Sequence, residues 1–71
     1  MFIKELDYTI DLSKITYINR SGAILSLKTN KPYIMVVFNN NMEIRLYYDN
    51  EEILNERYNY ISNLLVDMVK Q

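Results

Sequence analysis

The sequence predicts an α+β fold: an antiparallel β-meander of about five strands packed by one C-terminal amphipathic helix. Three observations predict it. Leu6, Tyr8, Ile10 and Leu12 alternate with Asp7, Thr9 and Asp11, the period-two pattern of a strand with one wet face. PYIMVVF, NNNM and EIRLYY follow one another from Pro32 to Tyr48 as strand, turn and strand. Beyond them Leu54, Tyr58, Ile61, Leu65 and Met68 recur at spacings of four and three, one face of a helix.

Taken in order, strands are expected over 5–12, 15–20, 23–28, 33–38 and 43–48, and a helix over 50–69. Ser13-Lys14 breaks the first strand. Ser21-Gly22 holds the chain's one glycine and joins the second strand to the third, pairing Ile18 with Leu25 and Thr16 with Leu27. Thr29 to Pro32 forms a loop closed by the one proline. In the next hairpin a two-residue or a four-residue loop gives the same pairs: Val37 with Ile44, Met35 with Leu46 and Tyr33 with Tyr48. The other face then carries Ile34, Val36 and Phe38 opposite Tyr47, Arg45 and Glu43. That face is half apolar, so it is expected to meet a second layer, another subunit or a partner. Asp49 with Glu52 three residues on is a capping-box variant, and Tyr48 with Ile53 a hydrophobic staple. Glu51, Glu52 and Glu56 lie near the positive end of the helix dipole and Lys70 near the negative end.

The chain has 71 residues, no cysteine and no histidine, with 49% hydrophobic residues, seven tyrosines and a net charge of −1. A domain this short buries only about 60% of its unfolded surface and has no disulfide to compensate, so self-association is expected. The opening MFIKELDYTI has no apolar signal core, and no apolar run approaches the ~20 residues of a membrane span. A cytoplasmic protein is expected.

The missing residue types exclude much chemistry. Without histidine or cysteine there is no Cys-His or Ser-His-Asp machinery and no ordinary zinc ligand set. One glycine cannot build a Walker loop or a dinucleotide fingerprint. The clustered acids Asp49, Glu51, Glu52 and Glu56 are accounted for by the cap and the dipole. No catalytic residue, metal ligand or cofactor is therefore assigned. Between Leu12 and Met42 the charged residues are Lys14, Arg20, Lys28 and Lys31, all basic. They read either as a solvated edge that discourages aggregation or as a phosphate-binding set of Tyr17, Arg20, Lys28 and Lys31. Four spread charges on a slightly acidic chain argue against sequence-specific DNA binding. Imitation of nucleic acid by the acidic helix calls for a more extreme charge balance. The contact surface expected from the sequence is Ile34, Val36, Phe38, Arg45 and Tyr47.

The strand-strand-helix order over 33–69 resembles the C-terminal part of pleckstrin-homology-like modules, in which a helix plugs a bent sheet. In size and in its isoleucine-, asparagine-, lysine- and tyrosine-rich composition the chain is similar to short orphan proteins of phages and mobile elements of AT-rich bacteria. That resemblance implies a host protein as partner, inhibited by the binding, with defence systems among the targets. The expected function is thus a non-catalytic protein-binding inhibitor, homo-oligomeric or bound to a host protein. The alternative is an oligomeric protein that sequesters a nucleotide or another phosphorylated small molecule.

Overall fold

The computed structural model describes residues 1–21 and 31–69. They form β1 (Phe2–Glu5), β2 (Tyr8–Asp11), a 3-10 turn (Leu12–Lys14), β3 (Ile15–Ser21), β4 (Tyr33–Phe38), β5 (Glu43–Tyr47) and α1 (Glu51–Val69). The strands make two antiparallel sheets, β1–β2 and β3–β4–β5. The α+β class, with five strands and a C-terminal helix, is as expected. The membership of the five differs. The strand expected over 23–28 lies outside the described residues, and the one expected over 5–12 is a hairpin.

That hairpin turns at Leu6-Asp7 and pairs Ile3 with Ile10 and Glu5 with Tyr8. Leu6 has φ 55, a left-handed value that costs a residue with a β-carbon about 1–2 kcal/mol. No turn propensity would place leucine there, and an alternating pattern reports which face a residue takes, not whether the chain reverses. The Asp11 carboxylate then caps the 3-10 turn, accepting from the Ser13 amide at 3.1 Å and the Ser13 hydroxyl at 2.7 Å. Those hydrogen bonds, the hydroxyl one first, hold the Asp11 carboxyl below its ordinary pKa.

β3 carries a bulge at Thr16: Ile15 pairs with Phe38, yet Tyr17 pairs with Val37. The extra residue resets the alternation, so Ile15 and Ile18, three apart, both pack on the core. Thr16 is held there by a hydroxyl hydrogen bond to the Asn39 side-chain oxygen at 2.7 Å.

The β4–β5 loop has three residues, Asn39, Asn40 and Asn41. The Asn41 amide donates to the Phe38 carbonyl at 2.9 Å and the Phe38 amide to the Met42 carbonyl at 2.8 Å. Asn41 takes φ 69, the left-handed position that follows a type I turn in such loops and that asparagine tolerates. An odd loop shifts the register by one from the expected pairing. Val36 lies opposite Ile44, Met35 opposite Arg45, Ile34 opposite Leu46 and Tyr33 opposite Tyr47. Because side chains alternate, the β4 residues change face relative to those of β5: Ile34 and Val36 join Ile44 and Leu46, and Tyr33 and Met35 join Arg45 and Tyr47.

The helix starts one residue later than expected. Asn50, not Asp49, is the N-cap: its side-chain oxygen accepts the Ile53 amide at 2.8 Å and its carbonyl the Leu54 amide at 3.1 Å. With Asn50 as N-cap, the positions of a hydrophobic staple fall to Asp49 and Leu54 rather than to Tyr48 and Ile53, and Ile53 is 40% exposed. The predicted stripe does pack inward: Leu54 and Ile61 are buried, and Tyr58, Leu65 and Met68 pack beside them. Ile10, Leu12, Ile34, Val36, Leu46, Tyr48, Leu54 and Ile61 form one core between the inner face of β3–β4–β5, the helix and the β1–β2 hairpin. No helix among the described residues is long and apolar enough to cross a membrane.

Candidate interaction surface

With the helix on the inner face of the three-stranded sheet, the strands' alternate residues form an outer face. From β3 it takes Tyr17 and Asn19, from β4 Val37, Met35 and Tyr33, and from β5 Glu43, Arg45 and Tyr47. Tyr17 and Tyr47 are 48% and 40% exposed, while Tyr33, Met35 and Val37 are half-buried among their neighbours. The Tyr33 and Tyr47 rings meet across the strands at 5.5 Å, tilted by 55°. The Arg45 guanidinium lies 5.7 Å from the Tyr33 ring centre and 3.4 Å from the Glu43 carboxylate. These contacts order long side chains into a flat aromatic platform with one charge pair on it.

This surface corrects the one expected from the sequence. Ile34 and Val36 are 0% and 1% exposed and form the core, and Phe38 packs against that core. Arg45 and Tyr47 are exposed as expected but lie on the opposite face from those three. The cause is the single residue by which the asparagine loop differs from a two- or four-residue one.

The basic set is not brought together. Tyr17 points outward, whereas Arg20 pairs with Ile34 and therefore points to the helix side. There the Arg20 guanidinium donates to the Asn55 side-chain oxygen and lies 5.4 Å from the Tyr58 ring centre. The Lys31 ammonium sits 3.3 Å from the Asp49 carboxylate, where that acid serves instead of capping α1. Lys28 lies outside the described residues.

One buried polar cluster escaped the sequence. Glu5 is 5% exposed and accepts two hydrogen bonds from the Arg57 Nε and Nη2 atoms at 2.9 Å, with the Tyr48 hydroxyl donating at 2.9 Å. The fork geometry satisfies the carboxylate, and the Arg57 guanidinium also lies 4.5 Å from the Tyr60 ring centre. Burial, reinforced by the Glu5 charge, raises the Tyr48 phenol above its ordinary value, and the hydrogen bond to Glu5 raises the Arg57 guanidinium as well. Tyr48 and Arg57 stand 43 and 52 residues from Glu5, so no local spacing signals the trio. It ties the first hairpin to β5 and α1.

The concavities are open. A depression of about 550 Å³ is lined by Lys14, Phe38, Asn39 and Asn40, and a groove of about 310 Å³ runs between Leu12, Ile15, Leu65 and Met68. Three of the four residues lining the first are polar, Lys14, Asn39 and Asn40, while the second is mostly apolar with Ser13 and Thr16 in its lining. Among the described residues no three acidic side chains converge in a way that would hold a metal ion. No protein-family model matches the chain, and no curated protein or solved structure shows significant similarity to it.

Proposed function

We propose that the chain is a non-catalytic protein-binding module whose outer sheet face, centred on Tyr33, Met35, Arg45 and Tyr47, occupies and thereby inhibits another protein. The carrying observation is the composition of that face. Tyrosine, methionine and arginine are enriched at the centres of interfaces, and here they lie flat on rigid strands with their rotamers held by mutual contacts. The scatter of Tyr17, Arg20 and Lys31 favours this reading over a nucleotide-binding one, because Arg20 and Lys31 are each engaged on other elements. The composition and small size support a mobile genetic element as the source, with a cytoplasmic host protein as target.

The test is affinity capture from a bacterial lysate with the wild type, Met35→Asp, Tyr47→Asp and, on the exposed side of α1, Asn59→Asp. A protein retained by the wild type and Asn59→Asp but lost by both sheet variants is the expected result. Its activity should fall when the purified module is added. A captured protein indifferent to both sheet variants, or a thermal shift produced by nucleotides instead, would defeat the proposal.

A further inference from the structure

The β5 edge carries an inference separate from the outer face. In the ladder with β4, the Tyr48 amide donates to the Pro32 carbonyl at 3.0 Å and the Phe38 amide to the Met42 carbonyl at 2.8 Å. Backbone hydrogen-bonding direction alternates along an antiparallel strand, so Met42, Ile44, Leu46 and Tyr48 turn their amides and carbonyls toward β4. Those of Glu43, Arg45 and Tyr47 point the other way, to an edge that pairs with no strand among the described residues. β5 has no proline, no lysine and no bulge to protect this edge, and the charges it does carry, Glu43 and Arg45, are of opposite sign.

We infer that β5 pairs antiparallel with β5 of a second copy, about a two-fold axis through Ile44, to join two three-stranded sheets into one of six strands. Charge selects this register. With Ile44 opposite Ile44, each Glu43 faces the other copy's Arg45, and the pairs use the outward-pointing backbone groups. Sliding one pair toward the C-terminus sets Arg45 opposite Arg45. The next step sets Glu43 opposite Asp49. A slide the other way sets Glu43 opposite Glu43. Of these four pairings, only the one about Ile44 sets unlike charges opposite each other and no like charges, which oppose strand pairing. The Ile44 side chains, half-buried on the inner side, meet at the axis and extend both cores. Chains this short gain from such association, because one copy has little core of its own. The outer face stays open on the dimer, so capture of a target and self-association can fail independently.

Sedimentation of the full chain over a concentration series tests the inference. A reversible dimer is expected. Glu43→Arg, which places arginine opposite arginine, should weaken it by about tenfold or more, and the exchange Glu43→Arg with Arg45→Glu should restore it. Circular dichroism checks that each variant is folded. Because the chain has no cysteine, Ile44→Cys supplies a unique probe. Its two sulfurs should join under mild oxidation, since facing α-carbons of a non-hydrogen-bonded pair lie about 4.5 Å apart, within disulfide range. A chain monomeric at millimolar concentration overturns the inference. So does a dimer unchanged by Glu43→Arg whose Ile44→Cys variant resists oxidative cross-linking.

Discussion

The two faces of the β3–β4–β5 sheet are made from alternate residues of the same three strands, yet they do opposite things. Ile34, Val36 and Leu46 turn inward and are at most 1% exposed, with Leu54 and Ile61 of the helix sealing them. One position along, Tyr33, Arg45 and Tyr47 turn outward and are ordered by ring and charge contacts instead. Hydropathy alone does not tell the faces apart, because Tyr33, Met35 and Val37 are nearly as apolar as Ile34 and Val36. What separates them is that only one set meets the helix. Burial therefore follows register, and register follows the loop.

The sharpest break of this comparison comes from truncating neighbours on β4. Ile34→Ala should cost about 2–5 kcal/mol, because it opens a cavity in a fully enclosed site. Met35→Ala, one residue on, should shift stability by less than about 1 kcal/mol. Urea unfolding midpoints measure both, and equal losses would mean that the outer face is also a core.

The polar trio sharpens the comparison from the other side, since it fastens the β1–β2 hairpin by charge where the larger sheet is sealed by apolar contact. Arg57→Met should cost about 3 kcal/mol by leaving Glu5 buried without its partner. The double change Arg57→Met with Glu5→Leu should recover most of that loss, because a buried ion pair replaced by apolar groups is often neutral. A double variant no better than the single one would assign the loss to packing rather than to the stranded charge.

Alkaline titration probes the same trio. The Tyr48 phenol, raised in the folded state, keeps its proton where the unfolded phenol releases it above its ordinary value of 10.0. The folded state then binds more protons, so stability is complete below pH 10 and declines as pH rises beyond it, by at most about 1.4 kcal/mol per pH unit. Chemical denaturation at stepped pH should show this decline in the wild type and a shallower one in Tyr48→Phe. A small effect of the opposite sign is expected at the first turn. Leu6→Gly should stabilise the chain by about 1 kcal/mol, since glycine adopts the left-handed angle freely, and thermal unfolding would register it.

Much of the fold was legible because the signals are local. The helix stripe from Leu54 to Met68 and the strand pattern of 33–38 rest on periodicity within one segment; the stripe packed as read, whereas the strand formed as read with its two faces exchanged. The contact surface was not legible. Tyr47 and Arg45 are exposed as the sequence suggests, but Ile34 and Val36, expected beside them, form the core. A loop of three asparagines looks much like a loop of two or four, and the choice hangs on whether Asn41 takes a left-handed angle. The first hairpin was missed for a similar reason, since Leu6 turns the chain without any turn-forming residue type.

By itself the sequence determined the class of the fold, the helix and its inward stripe, and the absence of thiol and imidazole chemistry. These depend on residue identity and on spacing within a few turns of chain. Only the tertiary structure decided which face of the sheet is covered, where Arg20 and Lys31 spend their charge, and that Glu5 is buried against Arg57 and Tyr48. Those depend on pairings between distant segments. A one-residue change in the phase of such a pairing leaves every local pattern intact and turns one strand's side chains over relative to its partner's.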